Sequence, residues 1–400
     1  MHYKNFLEEA RACENEFIEI RRYLHAHAEV GFSLPYTTGL VFAKLCEYGY
    51  TPERCGRAGV TATVGGGGKT FLLRADMDAL PIKEETGLPF AAAGGNMHAC
   101  GHDMHTAMLL LAAKILRAHE RELCGTVKLM FQPAEETLSG AKDMISCGVL
   151  EKPRPDAAFM LHVLSGVSAP AGAVVIPRAG ICAPSADYFD VKIKGKACHG
   201  ASPEKGRDAL LAAAYVLTAL AEIPARELAI DERAMFTFGR MEAGSAANAI
   251  AGEAVLSGTM RAYGEETRER LKARIEEVAR TVASAFRTEA EVKYGKGAPA
   301  LKNNAALCEN IGAYCRELLP HEYVLPADTL GTVGGSEDFA YIAERVPAVC
   351  ASLSASKGEY PLHHPKVCFD ESAIATGGAV LAYTAARWLC DSERGAKETE

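Results

Sequence analysis

Apolar positions change their period along this chain. From Phe6 to Leu24 they recur at three- and four-residue intervals between charges, which predicts an amphipathic helix. Val60–Val64 and Thr70–Arg74 are short apolar runs flanking Gly65–Gly68 and predict strands. Thr106–Arg117 predicts a buried helix. Thr126–Phe131 and Ala157–Val163 are continuous apolar runs of the kind found in strands covered on both faces. Strands alternating with helices predict an α/β sheet with a substantial parallel component.

Near residue 185 the pattern shifts. Tyr188–Lys194 (YFDVKIK) alternates apolar and polar residues, as a half-exposed strand does. Arg207–Glu222 predicts a helix, Ala234–Glu242 and Glu253–Arg261 strands, Glu265–Phe286 a long charged helix, and Glu289–Tyr294 a last strand. That β-α-β-β-α-β order is the order of a ferredoxin-like module. From about Ala298 the larger pattern resumes, running to a helix around Ala373–Cys390 and a charged tail, Asp391–Glu400. The expected organisation is α/β: a discontinuous catalytic domain, 1–184 and 298–400, with a smaller α+β domain, 185–297, inserted.

Composition removes several function classes. With 48% hydrophobic and 24% charged residues, the bulk of the chain is not disordered. Lys+Arg 43 against Asp+Glu 51 gives a net charge of −8, which does not advertise nucleic-acid binding. The most apolar stretch, Ala209–Ala221, falls short of the roughly 20 residues of a membrane-spanning helix. The N-terminal MHYKNFLEEARACENE has no apolar signal-peptide core. The 13 cysteines are odd in number and form no Cys-x-x-Cys, so reduced thiols in a cytoplasmic protein are expected. Gly65–Gly68 with Lys69-Thr70 imitates a phosphate loop. That pattern needs Gly where this chain has Thr63, and the following FLLRAD is strand-like, so the run reads as a turn.

Six stretches concentrate metal-binding or acid–base residues. In Arg74-Ala-Asp76-Met-Asp78-Ala-Leu-Pro81 the two aspartates are two apart, so both carboxylates point the same way from an extended chain. Alone, such a pair is more often a turn or cap. Met97-His98-Ala-Cys100-Gly-His102-Asp103-Met-His105 is denser, and core packing does not account for a thiol and several imidazoles together. Phe131-Gln-Pro133-Ala-Glu135-Glu136 follows an apolar strand, so its glutamates emerge at the strand's C-terminal end, where α/β sheets place their sites. Divergent neighbouring side chains would let one carboxylate face a metal and the other a substrate. Leu161-His162-Val163 ends another apolar strand, although a lone His there is commonly a satisfied buried residue. Gly334-Gly-Ser336-Glu337-Asp338-Phe339 and Leu362-His363-His364-Pro365 complete the set. Together they supply thiol, imidazole and carboxylate donors sufficient for two divalent ions.

RADMDALPI, MHACGHD, FQPAEE, LHV, GGSEDFA and LHHP, in this order, closely resemble the amidohydrolase branch of metallopeptidase family twenty. That superfamily includes aminoacylases and carboxypeptidase G; hippurate hydrolases and indole-acetyl-amino-acid hydrolases belong to the nearer branch. The resemblance runs from Arg21-Arg-Tyr-Leu-His25 to Phe369-Asp-Glu371. It implies a bimetallic-peptidase catalytic domain with a ferredoxin-like lid and dimerisation domain. The implied metal ligands are Cys100, His102, Glu136, His162 and His363, Cys100 marking the branch and His364 being a neighbour. Glu135 matches the general base, and Asp78 matches a residue that orients a metal-binding group from behind. His199 matches a residue of the inserted domain that serves the tetrahedral oxyanion, reached by domain closure or from a partner subunit. Asn248 and Arg261 resemble positions near the substrate's α-carboxylate. The chain departs from the family at Ala28-Glu29, where Pro-Glu is usual, and at Ser33 and Leu34, where an acidic residue is common; both lie outside the metal set.

The resemblance therefore implies a metal-dependent hydrolase of N-acyl-L-amino acids that forms homodimers or higher homo-oligomers. Zinc suits the thiolate and imidazole ligands, with manganese, cobalt or nickel as alternatives. A dipeptidase or carboxypeptidase on the same scaffold is the competing enzyme reading. A non-catalytic metal- or ligand-binding relative is the other class, and would be expected to lack one of these positions.

Overall fold

The computed structural model describes residues 5–329 and 335–397, with side chains as far as 393, so Gly334 and part of the charged tail lie outside the described residues. The chain divides into two compact units. One comprises the chain up to Cys182 and again from Lys302, apart from the loop ending at Glu337. The other is Ala183–Leu301 with that loop.

The first segment runs α1 (Phe6–Ala12), α2 (Glu14–Ala26), α3 (Pro35–Glu47), β1 (Glu53–Cys55), β2 (Gly59–Gly65), β3 (Thr70–Asp76), α4 (His102–Ala118), β4 (Thr126–Gln132), α5 (Gly140–Ser146), β5 (Ala157–Leu164), β6 (Val174–Val175) and β7 (Gly180–Ala183). The helix expected over Phe6–Leu24 is two helices. Cys13, at φ −113°, leaves helical geometry between them, and its thiol donates to the Glu9 carbonyl at 3.2 Å. The second unit follows with β8 (Ala186–Lys194), β9 (Cys198–His199), α6 (Ala209–Leu220), α7 (Glu222–Arg226), β10 (Ala234–Ala243), β11 (Ala249–Ile250), β12 (Glu253–Ala262), α8 (Glu265–Ala285) and β13 (Glu289–Ala298). The chain ends with β14 (Leu301–Asn303), α9 (Ala305–Leu318), β15 (Val324–Leu325), α10 (Ala340–Ala343), β16 (Ala348–Ser354) and α11 (Ala373–Lys397). The expected charged tail is therefore helical to Lys397.

Eight strands of the first unit form one mixed sheet in the order β1-β2-β4-β3-β5-β16-β6-β15. Its centre, β4-β3-β5-β16, is parallel. Every residue of β3 and β4 is buried, as their unbroken apolar runs required. The helix α4 packs on β3 and against α2 and α11. Gly65–Gly68 is the turn from β2 towards β3, with no helix behind it.

In the second unit β10-β12-β8-β13 form an antiparallel sheet whose order is that of a ferredoxin-like module. Leu271, Ile275, Ala279 and Ala283 recur every four residues along α8 and are buried with Val191, Ile193, Val216 and Leu256. Its remaining positions carry Arg–Glu pairs such as Arg274–Glu277 at 2.9 Å. Ala209–Arg226 is, by length and composition alone, apolar enough to cross a membrane. Its chain breaks into α6 and α7 at Ala221, and Ala209, Ala212, Ala213, Val216 and Leu220 of α6 are buried in this unit's core.

A charged network sits inside the first unit. Arg74, fully buried on β3, donates to Asp76 at 2.6 Å, to Gln132 at 3.0 Å and to Asp338 at 3.0 Å. Asp338 also accepts the amide of Gln132 at 2.6 Å and the backbone N–H of Ala141 at 2.9 Å. The fifth motif thus contributes a buried ion pair that joins a late segment to β3 and β4. Arg74→Met would leave two buried carboxylates without their cation. We expect it to cost about 3–5 kcal/mol of stability, the usual loss on breaking a buried pair, measured as a lower urea midpoint on metal-free protein.

Candidate metal centre

The parallel strands β3, β4 and β5 deliver their C-terminal ends to one place. Asp78 follows β3, Glu135 and Glu136 follow β4, and His162 lies near the end of β5. Cys100 and His102 enter at the start of α4, which begins four residues before the expected Thr106. Gly101 between them has φ +81°, and a Cβ there would lie 2.4 Å from Val163 Cγ2, so both the turn and the packing require glycine. His363 arrives on a loop, with its N–H bonded to the Ala99 carbonyl at 2.9 Å.

The five expected metal ligands converge. Cys100 Sγ lies 3.3 Å from His363 Nε2 and 3.7 Å from His162 Nε2. Glu136 Oε1 lies 3.6 Å from His363 Nε2 and 3.9 Å from His102 Nε2. The donors fall into overlapping triplets, Cys100–His102–His162 and Cys100–Glu136–His363, that share the Cys100 thiol. Glu135 is brought to the same place, with a carboxylate oxygen within 4.8 Å of donor atoms of His102 and Glu136. The two glutamates therefore meet at one imidazole. The tandem histidines separate: His364 stacks on Tyr360 at 4.3 Å between centroids, and its Nδ1 accepts the N–H of Lys366.

Asp78 organises the centre through both backbone and side chain. Its carbonyl accepts His102 Nδ1–H at 2.8 Å, which turns Nε2 inward. Its carboxylate instead accepts the backbone N–H of Glu135 at 2.8 Å and of Glu136 at 3.3 Å. The orientation expected of Asp78 thus reaches His102 through the backbone oxygen. Asp76 also adjoins that imidazole, with Oδ2 3.8 Å from His102 Nε2.

His105 takes a positioning place. Its Nδ1–H donates to Asp76 at 2.5 Å and its Nε2 accepts the backbone N–H of Val163 at 2.8 Å. The Val163 carbonyl in turn accepts His162 Nδ1–H at 2.7 Å. Val163 is thereby held at both its N–H and its carbonyl, and His162 Nε2 is left to face Cys100. His105 lies within the dense second motif, but nothing in its spacing distinguishes a ligand from a residue that holds one.

Burial sets the electrostatics. It pushes the Cys100 thiol well up and Glu136 up to about 7, the latter helped by Asp78 and Asp76. Burial and the neighbouring His105 push His162 down to about 3. Burial also opposes charge on His102, but Asp76 and Cys100 outweigh it and hold its pKa well above the usual value. His102 Nε2 and Glu136 Oε1 are buried without a hydrogen-bond partner. Inward-facing polar atoms without partners, among thiol, imidazole and carboxylate donors, fit bound divalent cations.

The Peptidase family M20/M25/M40 matches residues 72–387. The chain belongs to this family. It is similar to the N-acetyl-L-cysteine deacetylase of Bacillus subtilis, at 36% identity over 96% of this chain and 90% of that protein. It is also similar to the hippurate hydrolase of Campylobacter jejuni, at 33% identity over 96% of this chain and all of that protein. Among solved structures, the Bacillus subtilis YXEP protein, a dinuclear metal-binding peptidase from the M20 family, superposes with a TM-score of 0.80 at 30% identity. That match covers 95% of this M20 chain and 99% of the other.

The remaining candidates of this M20 protein lie in its second unit. His199 of β9 pairs with Ala249 of β11, and Gly200 N–H donates to the Asn248 carbonyl at 2.8 Å, so His199 and Asn248 are brought together and both are exposed. Arg261 is not with them. It sits near the far end of β12, eight residues beyond Glu253, or roughly 26 Å at strand rise. There its guanidinium donates to Thr259 Oγ1 at 2.5 Å and lies over the Tyr188 ring. Next to the departure at Ala28, Glu29 accepts the N–H groups of Tyr36 and Thr37 at the start of α3.

His105→Leu should lower divalent-cation affinity by roughly 10–100-fold, the usual cost of losing a residue that orients a ligand. His105→Gln, whose amide can donate to Asp76 and accept from Val163, should keep most of it. Competition with a chromophoric chelator measures both variants.

Proposed function

We propose that this M20 protein is a metal-dependent amidohydrolase that cleaves the amide bond of N-acyl-L-amino acids into a carboxylic acid and an amino acid. The observation that carries the reading is the convergence of Glu135 with Cys100, His102, Glu136, His162 and His363. Relatives that are an N-acetyl-L-cysteine deacetylase and a hippurate hydrolase support the substrate class.

Cys100, His102, Glu136, His162 and His363 would hold two divalent ions, with the Cys100 thiolate common to both donor triplets. Zinc suits this donor set, and manganese, cobalt or nickel are the alternatives. When bound, such ions polarise an amide carbonyl and lower the pKa of the attacking water. Glu135 then takes that water's proton and returns it to the departing amine. Asp78 keeps Glu135 in place by accepting its backbone N–H, so the base does not depend on its own rotamer alone. His199 is assigned as donor to the developing oxyanion, and Asn248 and Arg261 as donors to the substrate carboxylate. Because Asn248 precedes β12 and Arg261 lies near that strand's far end, a small substrate that used both would draw them from two copies. A homo-oligomer is proposed on that ground, and exposed Leu210, Leu211 and Tyr215 on α6 offer it an apolar surface.

Hydrolysis of N-acetyl and N-benzoyl amino acids should disappear on treatment with chelator and return with added metal. A chain that binds metal but hydrolyses none of these, while cleaving dipeptides, would favour the peptidase reading. Glu135→Gln should retain metal while kcat falls roughly 10²–10⁴-fold, the usual loss of acid–base catalysis. Glu136→Gln should instead lose metal. The opposite pattern, read by metal analysis beside the assay, would exchange the two roles.

A further inference from the structure

Outside the metal centre, one pair of cysteines is held in contact by the fold. Cys124 and Cys390 are 266 residues apart in sequence, yet their Sγ atoms are 2.7 Å apart. The loop bearing Cys124 is pinned by Thr126 N–H to the Lys69 carbonyl at 2.9 Å and Gly66 N–H to the Gly125 carbonyl at 3.2 Å. Glycine at 125 is what lets this loop lie against α11. A Cβ there would be 2.5 Å from the Lys69 carbonyl oxygen and 2.9 Å from Leu389 Cδ2. Cys390 is buried, whereas Cys124 is partly exposed and can be reached from solvent.

We propose that Cys124 and Cys390 form a site of reversible intramolecular disulfide formation, with low-molecular-weight disulfides as its oxidising co-substrate. The Cys124 thiolate attacks one sulfur of the reagent, forms a mixed disulfide and expels the first thiolate, which takes up the Cys124 proton. Cys390 then loses its proton, attacks Cys124 Sγ and expels the second thiolate, which takes up that proton. Two protein thiols are oxidised, and one reagent disulfide is reduced to two thiols. Burial, together with the Cys390 thiol and the Glu393 carboxylate, pushes Cys124 up to about 12, so the first step is slow. The second step needs almost no movement.

The bond would tie the loop entering β4 to the C-terminal helix α11, which packs on α4. Closing so long a loop restricts the unfolded chain more than the folded one. Neither sulfur belongs to the proposed metal set, so turnover should not change.

The test incubates the whole metal-loaded protein with glutathione disulfide and maps its peptides without reduction. The expected result is a Cys124–Cys390 linked peptide, an intact mass lower by two hydrogens, and a raised thermal midpoint that dithiothreitol reverses. Cys124→Ser and Cys390→Ser should each abolish all three while hydrolysing substrate like the parent. Cys124 arrested as the glutathione adduct, links that join other cysteines, or a link that lowers the midpoint would overturn the proposal.

Discussion

Asp78 is the constraint on which the centre depends. Its carbonyl turns His102, and its carboxylate holds the backbone of Glu135 and Glu136. Three candidate groups from two segments are thus set by one residue beyond β3. The arrangement works because β3 and β4 are adjacent and parallel, with Asp76 opposite Gln132 at their ends. The loops leaving both strands then emerge side by side. Backbone amides accepted by a carboxylate are charge-assisted bonds, and their direction fixes where the two glutamate side chains begin.

Burial explains why such a centre demands a cation. Cys100, His102 and Glu135 are removed from water, and burial disfavours charge on Cys100, Glu136 and His162 alike. The surroundings are arranged differently. Arg74 with Asp76 and Asp338, and Arg21 with Asp103 and Glu371, are ion pairs in which every carboxylate has a cation at 3.3 Å or less. His25 bridges Asp103 and Glu84 in the same layer. The carboxylates of this shell are paired with the protein's own cations, whereas His102 Nε2 and Glu136 Oε1 of the donor set are buried without a hydrogen-bond partner.

Much of this was legible in the sequence because donor chemistry is local. Asp78, Glu135, Glu136 and His162 each stand in a short motif at the end of an apolar run that shows which end of a strand the motif occupies, whereas Cys100, His102 and His363 stand in donor-rich motifs outside the strands. What escaped has a common physical origin. The Arg74–Asp338 pair joins residues far apart in sequence, and the His105–Val163 bond uses a backbone N–H that any residue carries. The expected start of α4 is too late because His102 and His105 serve the centre and Asp103 its supporting ion pairs, which removes the hydrophobic period there. The helix α3 opens Pro-Tyr-Thr-Thr-Gly, without a clear apolar stripe, and β6 and β15 are too short for any period. Asn248 and Arg261 are candidates through the family resemblance alone, and no local pattern in the sequence marks their place in the second unit.

Two residues that meet the Cys100 region adopt left-handed backbone geometry for opposite reasons. Gly101, at φ +81°, has no side chain because Val163 and Phe369 occupy the space where one would begin. His363, at φ +67°, accepts a conformation that disfavours a Cβ by roughly 1–2 kcal/mol. Glycine there would relieve the backbone and remove the imidazole beside Cys100 and Glu136. Part of the strain is offset by the bond from its N–H to Ala99, one residue before that thiol. In this loop the left-handed backbone falls on His363 and spares its tandem neighbour His364.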